Sequence, residues 1–276
     1  MSNVTAFGYE GKRVLVVGGA TGMGAAAAQL AQDAGAEVVV MDHAPVALPG
    51  AVGIHVDLAA RDSIDVAIDQ VEGSFAALYS CAGIAEGRGI ERINFIGHRY
   101  LIDRLIDKGA LGRGSAIGMI SSAAGLGWEP NLEWLTEFLS ITEWDDAVKW
   151  VIDHEKADYM SMKQAMCAYV AREAYPLLKR GMRINAICPG PTDTPLARAN
   201  EELWLGFGAD FRADVGTKPS TPLEQAFPLV FLCSEAATAI NGQTLVSDQG
   251  YLASGVAGSF PDAGPVADFL YGRITF

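Results

Sequence analysis

Short apolar runs alternate with longer amphipathic stretches over the first part of the chain. The runs are rich in β-branched residues, as buried strands are, and the stretches between them carry apolar residues at helical spacing. The predicted strands are 13–17, 37–41, 51–56, 75–80 and 115–121, and the predicted helices are 22–34, 60–72 and 94–108. Continuous apolar strands separated by helices indicate a parallel sheet covered on both faces. The pattern therefore predicts a doubly wound α/β fold.

The same alternation continues to the last quarter of the chain. It predicts a helix over 158–180, a strand over 183–188, a helix over 222–235 and a strand over 243–247. Because no linker, repeat or low-complexity tract interrupts the 276 residues, we expect one domain over 1–276.

Three segments depart from this rhythm. The insertion, residues 126–156, carries four tryptophans and apolar residues at helical spacing, which suits helices packed on the body or a partner subunit, or a lid over a substrate. The substrate loop, residues 196–218, contains Trp204 and Phe207. The tail, residues 251–276, is rich in glycine and aromatic residues and is expected to dock on the same or a neighbouring subunit.

Composition excludes several classes of partner. A net charge of −13 and a pI near 4.7 would repel nucleic acid and anionic membranes. The first residues lack the order of a signal peptide and no apolar run is long enough to span a bilayer, so we expect a cytoplasmic protein. The four cysteines and four histidines show no metal-binding spacing, which predicts reduced thiols and no metal site.

A glycine-rich turn follows the first predicted strand. The segment "VLVVGGATGMGAAAAQLAQDAG" places Gly18, Gly22 and Gly24 between an apolar strand and an alanine-rich helix, where a helix N-terminus can hold a pyrophosphate on free N–H groups. The candidate cofactor-binding residues here are Gly18, Thr21, Gly22, Met23 and Gly24.

Two acids end the next two predicted strands. Asp42 lies 18 residues beyond Gly24, where a carboxylate accepts from both ribose hydroxyls and repels the extra phosphate of NADP, so NAD is favoured over NADP. The alternative for Asp42 is a solvated acid at the end of a strand. Asp57 either accepts from an adenine amino group or caps the following helix. With its neighbour Leu58 it is a candidate cofactor contact.

Tyr159 and Lys163 stand four residues apart in "DYMSMKQAM". With the GxxxGxG turn they give the chain its resemblance, over nearly its whole length, to the short-chain dehydrogenase/reductase family. Further matches are "SCAG" (80–83), Asn94 in "INFIG", Ser122 in "ISSAAG" (120–125) and the loop in "INAICPGPTDTPL". Within the family, Cys81, the short gap from Gly83 to Asn94 and the insertion before Tyr159 are most similar to the bacterial 3α-hydroxysteroid dehydrogenase/carbonyl reductase group.

The resemblance implies a single-domain Rossmann-type fold and a role for each matched residue. Tyr159 would be the acid/base, Lys163 would hold the nicotinamide ribose, Asn94 would anchor a water and Ser122, with Ser121 as the alternative, would bind the substrate oxygen. An ammonium one helical turn away favours phenolate, typically by roughly 1 to 3 pKa units, so we expect an acidified Tyr159. The remaining candidate cofactor contacts are Cys81, Ala82, Gly83, Pro189, Gly190, Thr192 and Thr194.

Three positions differ from the family pattern. Val17 replaces a threonine before the first glycine, "SCAG" lacks two asparagines that normally brace the sheet, and "SDQG" (247–250) replaces DGG. None of these changes removes a group that the chemistry requires.

The sequence thus predicts an NAD-dependent oxidoreductase that interconverts a secondary alcohol and a ketone. Aromatic residues favour a bulky apolar substrate such as a steroid, terpenoid or aromatic alcohol, and the candidate substrate contacts are Ser122, Trp128, Tyr159, Trp204 and Phe207. The alternative is a dinucleotide-sensing regulator without turnover, although such proteins typically lack the tyrosine or the lysine. A dehydratase or epimerase is disfavoured because the region after residue 195 is short. The resemblance also implies a homodimer or homotetramer.

Overall fold

The computed structural model describes residues 3–274 and contains one seven-stranded parallel sheet. The strands are β1 Arg13–Val17, β2 Glu37–Asp42, β3 Val52–His55, β4 Ala77–Ser80, β5 Ala116–Ile120, β6 Arg183–Pro189 and β7 Thr244–Ser247. Their order is β3-β2-β1-β4-β5-β6-β7. Because the order reverses between β1 and β4, a crevice opens at the carboxyl ends of these two strands.

Helices cover both faces of the sheet. They are α1 Gly22–Asp33, α2 Arg61–Asp69, α3 Gly97–Asp107, α4 Leu132–Ser140, α5 Trp144–Asp153, α6 Tyr159–Lys179, α7 Pro195–Arg198, α8 Glu201–Trp204, α9 Ala209–Val215, α10 Pro222–Cys233, α11 Tyr251–Ala257 and α12 Gly264–Leu270. A π-helical turn, Arg92–Ile96, precedes α3, and a 3₁₀ segment, Ala123–Asn131, follows β5.

The alternation of side chains along β1 explains why its sequence is apolar throughout. Leu15 and Val17 belong to the core cluster beneath α2, α3 and α6, whereas Val14 and Val16 belong to the cluster beneath α1 and α10. All four side chains are fully buried because successive residues of a strand point to opposite faces. The predicted doubly wound fold is confirmed, and each predicted strand is present with its ends shifted by at most two residues.

The insertion folds as α4 and α5 and packs on the body of its own chain. Phe138 of α4 lies 5.6 Å, centre to centre, from the ring of Phe95, which in turn contacts Tyr169 of α6. Trp144 and Val151 of α5 are buried in the same cluster. Of the alternatives open from the sequence, the structure shows packing on the body.

The tail docks on its own chain too, as far as residue 274. Helix α12 packs on the 3₁₀ segment, where a Cβ built on Gly127 would lie 3.0 Å from the Leu270 carbonyl oxygen. The last two residues of the predicted tail, 275 and 276, lie outside the described residues.

Within residues 3–274, no helix has the length and hydropathy needed to cross a membrane. The same residues contain no group of three or more His, Cys, Asp or Glu side chains placed to hold a metal ion.

Candidate active site

The glycine turn between β1 and α1 is packed too closely for side chains. Gly18 has a φ of +83°, and a Cβ on it would lie 2.4 Å from the Ala82 nitrogen. A Cβ on Gly24 would lie 2.0 Å from the Gly18 oxygen. Thr21, the N-cap of α1, makes no side-chain cap hydrogen bond, so no capping hydroxyl competes for the first N–H groups of the helix. This turn fits the pyrophosphate of a dinucleotide.

Asp42 joins the glycine turn to the end of β2. Its carboxylate is 8% exposed and accepts hydrogen bonds from the backbone N–H of Ala20, at Oδ2, and of Ala44, at Oδ1, both at 2.9 Å. Two backbone donors fix the orientation of the carboxylate; Oδ1 also lies 3.1 Å from Nδ1 of His43, whereas Oδ2 keeps a lone pair that can accept from a ribose hydroxyl. The acid is therefore held in place at the crevice.

Asp57 serves the turn that leads into α2. Its side chain is exposed, and Oδ1 accepts from the Ala59 N–H at 2.9 Å, while its own N–H donates to the Ser63 hydroxyl. Leu58 is buried, with its carbonyl oxygen 2.4 Å from the position that a Cβ on Gly97 would take. Asp57 therefore stabilises the turn before α2 but does not cap the helix as the sequence alternative expected, because the N-cap residue of α2 is Ala60, which has no side-chain cap hydrogen bond.

Tyr159 is the first residue of α6. Asp158 caps the helix by accepting from the Ser161 N–H at 2.9 Å, which fixes where the helix begins. The edge of the Trp204 ring packs on Tyr159, with 4.8 Å between ring centres. Burial raises the pKa of Tyr159 to about 12, while the hydrogen bond with Ser122 acts in the opposite direction.

That direction differs from the acidified phenol expected from the sequence. The Lys163 Nζ is 5.5 Å from the centre of the Tyr159 ring, yet desolvation of the phenol outweighs other influences on its pKa. The expected lowering of the Tyr159 pKa was therefore wrong for the chain without its cofactor. The spacing of two residues along a helix does not reveal how deeply their side chains are buried.

Lys163 is 4% exposed and its Nζ donates to the Ile120 carbonyl oxygen at 2.8 Å. Burial lowers the pKa of this amine to about 8. The carbonyl is at the end of β5, so the hydrogen bond aims the amine at the carboxyl edge of the sheet. A Cβ on Gly83 would lie 3.8 Å from Nζ, which places the end of "SCAG" beside the lysine.

Asn94 lies in the π-helical turn and is fully buried. Its Oδ1 accepts from the Ile84 N–H at 2.8 Å and its Nδ2 donates to the Ile84 carbonyl oxygen at 2.9 Å. The side chain thus holds the segment after β4 by two hydrogen bonds. Such turns, with i→i+5 bonds, occur frequently at functional sites.

The two serines after β5 point in different directions. Ser121 is buried and donates to the Lys163 carbonyl oxygen at 3.0 Å. Ser122 accepts from the Ala124 N–H at 3.2 Å, and its hydroxyl is close enough to Tyr159 to oppose the rise in the pKa of the phenol. Ser122 therefore shares the site with the phenol, whereas Ser121 braces the helix that carries it.

The loop after β6 lies against the glycine turn. A Cβ on Gly22 would lie 3.6 Å from the Thr194 side chain. Gly190, which directly follows β6, packs on Asp248, which directly follows β7. Thr192 donates to the Gly190 carbonyl oxygen at 3.0 Å, and Thr194 accepts from the Ala197 N–H at 3.1 Å. Both hydroxyls thus have partners within the loop, and the Thr194 hydroxyl keeps its proton to donate.

The aromatic residues predicted to line the substrate site differ in whether they contact Tyr159. Of the three predicted wall residues, Trp204 contacts Tyr159 directly, whereas Phe207 packs on Tyr251 of the tail at 5.2 Å. Trp128 is half-buried beside the cluster that also contains Leu270. The tail therefore contributes to this side of the site, a contribution that residue spacing did not predict.

A buried pair beneath the site was also missed. The Ser80 hydroxyl meets Nδ1 of His98, and Nε2 of His98 meets the Ala82 carbonyl oxygen at 3.0 Å. Lone histidines gave no signal from the sequence. The segment "SCAG" showed only that two asparagines common in the family are missing, and it did not point to His98.

Comparisons with known proteins show which proteins this chain is similar to. Residues 145–252 match a family model described as enoyl-(acyl carrier protein) reductase. A coniferyl-alcohol dehydrogenase from a Pseudomonas species is 26% identical over 248 residues, covering 87% of this chain and 96% of that protein. The 3α-hydroxysteroid dehydrogenase/carbonyl reductase of Comamonas testosteroni is 26% identical over 255 residues, covering 86% of this chain and 95% of that protein.

A solved structure shares the fold. It is the 3α-hydroxysteroid dehydrogenase of another Pseudomonas species complexed with NADH, with a TM-score of 0.73 and 24% identity over 90% of this chain and 99% of that one. The parallel sheet, the glycine turn and the Ser-Tyr-Lys cluster together define a class of oxidoreductases. The chain is similar over most of its length to members of the short-chain dehydrogenase/reductase family.

Proposed function

We propose that this chain is an NAD-dependent dehydrogenase that interconverts a secondary alcohol and a ketone. The observation that carries the proposal is the meeting of Ser122, Tyr159 and Lys163 at the sheet edge that also holds the glycine turn and Asp42. Residues that would hold the dinucleotide are Gly18, Thr21, Gly22, Met23, Gly24 and Asp42, with the backbone of 81–83 and 189–194 beside the nicotinamide. The NADH in the structurally similar hydroxysteroid dehydrogenase supports this assignment.

The mechanism divides the work between the cofactor and the chain. Bound NAD supplies the carbon that exchanges hydride with the substrate. Tyr159 moves a proton at the substrate oxygen, and Ser122 donates to the same oxygen and orients it. Lys163 contributes its positive charge, which favours the phenolate at the moment when the proton leaves the substrate. Asn94 keeps the segment beside Lys163 in place through Ile84.

The site excludes water through apolar side chains of the substrate loop and the tail. Trp204 covers Tyr159, and Trp128 lies beside the tail cluster that includes Leu270. The rings of an aromatic or alicyclic alcohol would pack against these apolar side chains in the bound state. Relatives named for coniferyl alcohol, borneol and hydroxysteroids support a bulky apolar substrate.

The test is a screen of secondary alcohols of graded size with NAD and with NADP. Turnover is measured by the absorbance of the reduced nicotinamide. We expect turnover with NAD that increases as the alcohol becomes larger and more apolar. Tight binding of NADH, seen by its fluorescence, without turnover of any alcohol would favour the dinucleotide-sensing regulator instead.

The proposal extends to a homodimer or homotetramer. Exposed Leu223 and Phe227 on α10 and Leu245 on the edge strand β7 offer apolar surface at one end of the sheet. Light scattering on a sizing column measures the mass directly, and a mass near the 29.2 kDa of one chain would contradict an oligomer.

A further inference from the structure

His98 is a fully buried histidine on α3 whose two ring nitrogens both have partners. Nε2 lies 3.0 Å from the Ala82 carbonyl oxygen, and Nδ1 meets the hydroxyl of Ser80, the last residue of β4. Because a carbonyl only accepts, Nε2 carries the hydrogen and Nδ1 accepts from Ser80. Burial lowers the pKa of His98 to about 4, so the ring stays neutral, in one tautomer, at pH 7.

The segment from Ser80 to Ile84 is held at three points by one short stretch of chain. His98 binds Ser80 and Ala82, and Asn94, four residues earlier, binds both backbone groups of Ile84. The π-helical turn and the first turn of α3 therefore act as a single support for this segment.

Segment 80–84 contacts two parts of the candidate site, the glycine turn and the surroundings of Lys163. Ala82 lies 2.4 to 2.7 Å from the position that a Cβ on Gly18 would take, so it packs directly on the glycine turn. A Cβ on Gly83 would be 3.3 Å from Asn94 Oδ1 and 3.8 Å from Lys163 Nζ. A shift of 80–83 would therefore disturb the dinucleotide turn and the lysine together.

We propose that His98, together with Ser80, is a positioning pair that replaces the missing asparagine brace and sets the placement of Ala82 and Gly83 against the glycine turn. The inference rests on the proposed function. Its first readout, the dissociation constant for NADH, does not require turnover.

The decisive variants are His98→Leu, which loses both contacts, and His98→Gln, whose amide can still donate and accept. Because misplacing a site by about 1 Å costs up to roughly 100-fold, we expect His98→Leu to weaken NADH binding and lower kcat by about 10- to 100-fold. His98→Gln should recover most of both. Ser80→Ala should give a smaller loss, since the Ala82 contact remains.

Arg99→Met provides the matched control. Arg99 is the next residue, is 6% exposed, and lies over the rings of Phe95 and Phe138; among the described residues its Nη1 is buried without a hydrogen-bond partner. Arg99→Met should change the melting temperature without changing the NADH dissociation constant. This separates general destabilisation of α3 from misplacement of the segment.

A rescue variant makes the test sharper. In Ser80→Asn/His98→Ala an asparagine can fill the space that the imidazole leaves and brace the strand itself, so NADH affinity should return toward that of the parent. NADH binding by a folded His98→Leu within twofold of the parent would overturn the proposal. Should His98→Leu fail to fold, an unchanged affinity in Ser80→Ala would overturn it. A lack of turnover in the parent itself would instead count against the proposed function.

Discussion

Lys163 and Tyr159 lie on one face of α6, with the lysine Nζ 5.5 Å from the centre of the tyrosine ring and hydrogen-bonded to the carbonyl of Ile120. Both are shifted by burial toward their neutral forms, the phenol to a pKa of about 12 and the amine to about 8. At pH 7 the phenol is therefore neutral, whereas the amine, one unit below its pKa, is still mostly protonated and keeps a buried positive charge beside the tyrosine.

Tyr159→Phe should reduce kcat by at least about 100-fold, because it removes only the oxygen that moves the proton. The edge contact with Trp204 does not need the hydroxyl, so NADH binding should remain within a few fold of the parent. Nicotinamide absorbance and fluorescence measure the two effects. Activity within tenfold of the parent would contradict the assigned role.

Ser122→Ala and Ser121→Ala form a matched pair. The Ser122 hydroxyl lies beside Tyr159 and lowers the pKa of the phenol, so its loss should lower kcat on the order of 100-fold. Ser121 bonds only the backbone of Lys163 and the thiol of Cys167, so its loss should cost stability and leave kcat within a few fold. Steady-state kinetics with thermal melts distinguishes them, and equal effects on kcat would refute the assignment.

Asp42→Ala should lower the preference for NAD over NADP by roughly 10-fold or more, since a charged hydrogen bond and a repulsive charge are both lost. Asp57→Ala is the control, because that acid is exposed and engaged with Ala59. The readout is the ratio of kcat/KM for the two cofactors. An unchanged ratio in the Asp42 variant would mean that another group selects the cofactor.

Lys163→Met should change how stability depends on pH. The folded-state pKa of Lys163, about 8, is below its ordinary value of 10.5, so the unfolded chain binds more protons between these values. The parent should therefore gain stability as the pH rises from 8 toward 10.5, whereas the cost of burying the ammonium is fully present below pH 8.

Urea unfolding at pH 7 and pH 10 measures this difference. The free energy of unfolding of the parent should increase relative to that of Lys163→Met by on the order of 2 kcal/mol between the two pH values. The variant also loses the hydrogen bond to the Ile120 carbonyl oxygen, but it does so at both pH values, so this loss cancels from the difference. Parallel pH dependences would show that the amine is not desolvated.

Trp204→Ala should discriminate between substrates by size. The side chain covers Tyr159, so its removal should raise KM for bulky apolar alcohols by roughly 10-fold while affecting 2-propanol little. Phe207→Ala is a useful comparison because Phe207 packs on Tyr251 instead. A uniform loss with all alcohols would indicate that Trp204 only supports the loop.

The features that the sequence predicts correctly are those fixed by the residue types within one strand, turn or helix. Strands buried on both faces must be apolar throughout, and only glycine fits where Ala82 approaches Gly18, so both features are visible as residue types. Tyr159 and Lys163 are recognisable because one helix fixes their spacing.

Other features depend on contacts between distant segments. The burial that raises the pKa of Tyr159 includes a tryptophan from the substrate loop, and the choice of Ser122 over Ser121 depends on how β5 meets α6. The Ser80–His98 pair needs the register of a π-helical turn, which residue periodicity does not reveal.

The close approach of Gly127 to the carbonyl of Leu270 makes this glycine a natural point for adjusting the width of the site. One added methyl group there would push the last helix outward without altering any residue that performs chemistry. Gly127→Ala is therefore the first variant to make when a site that accepts larger alcohols is wanted.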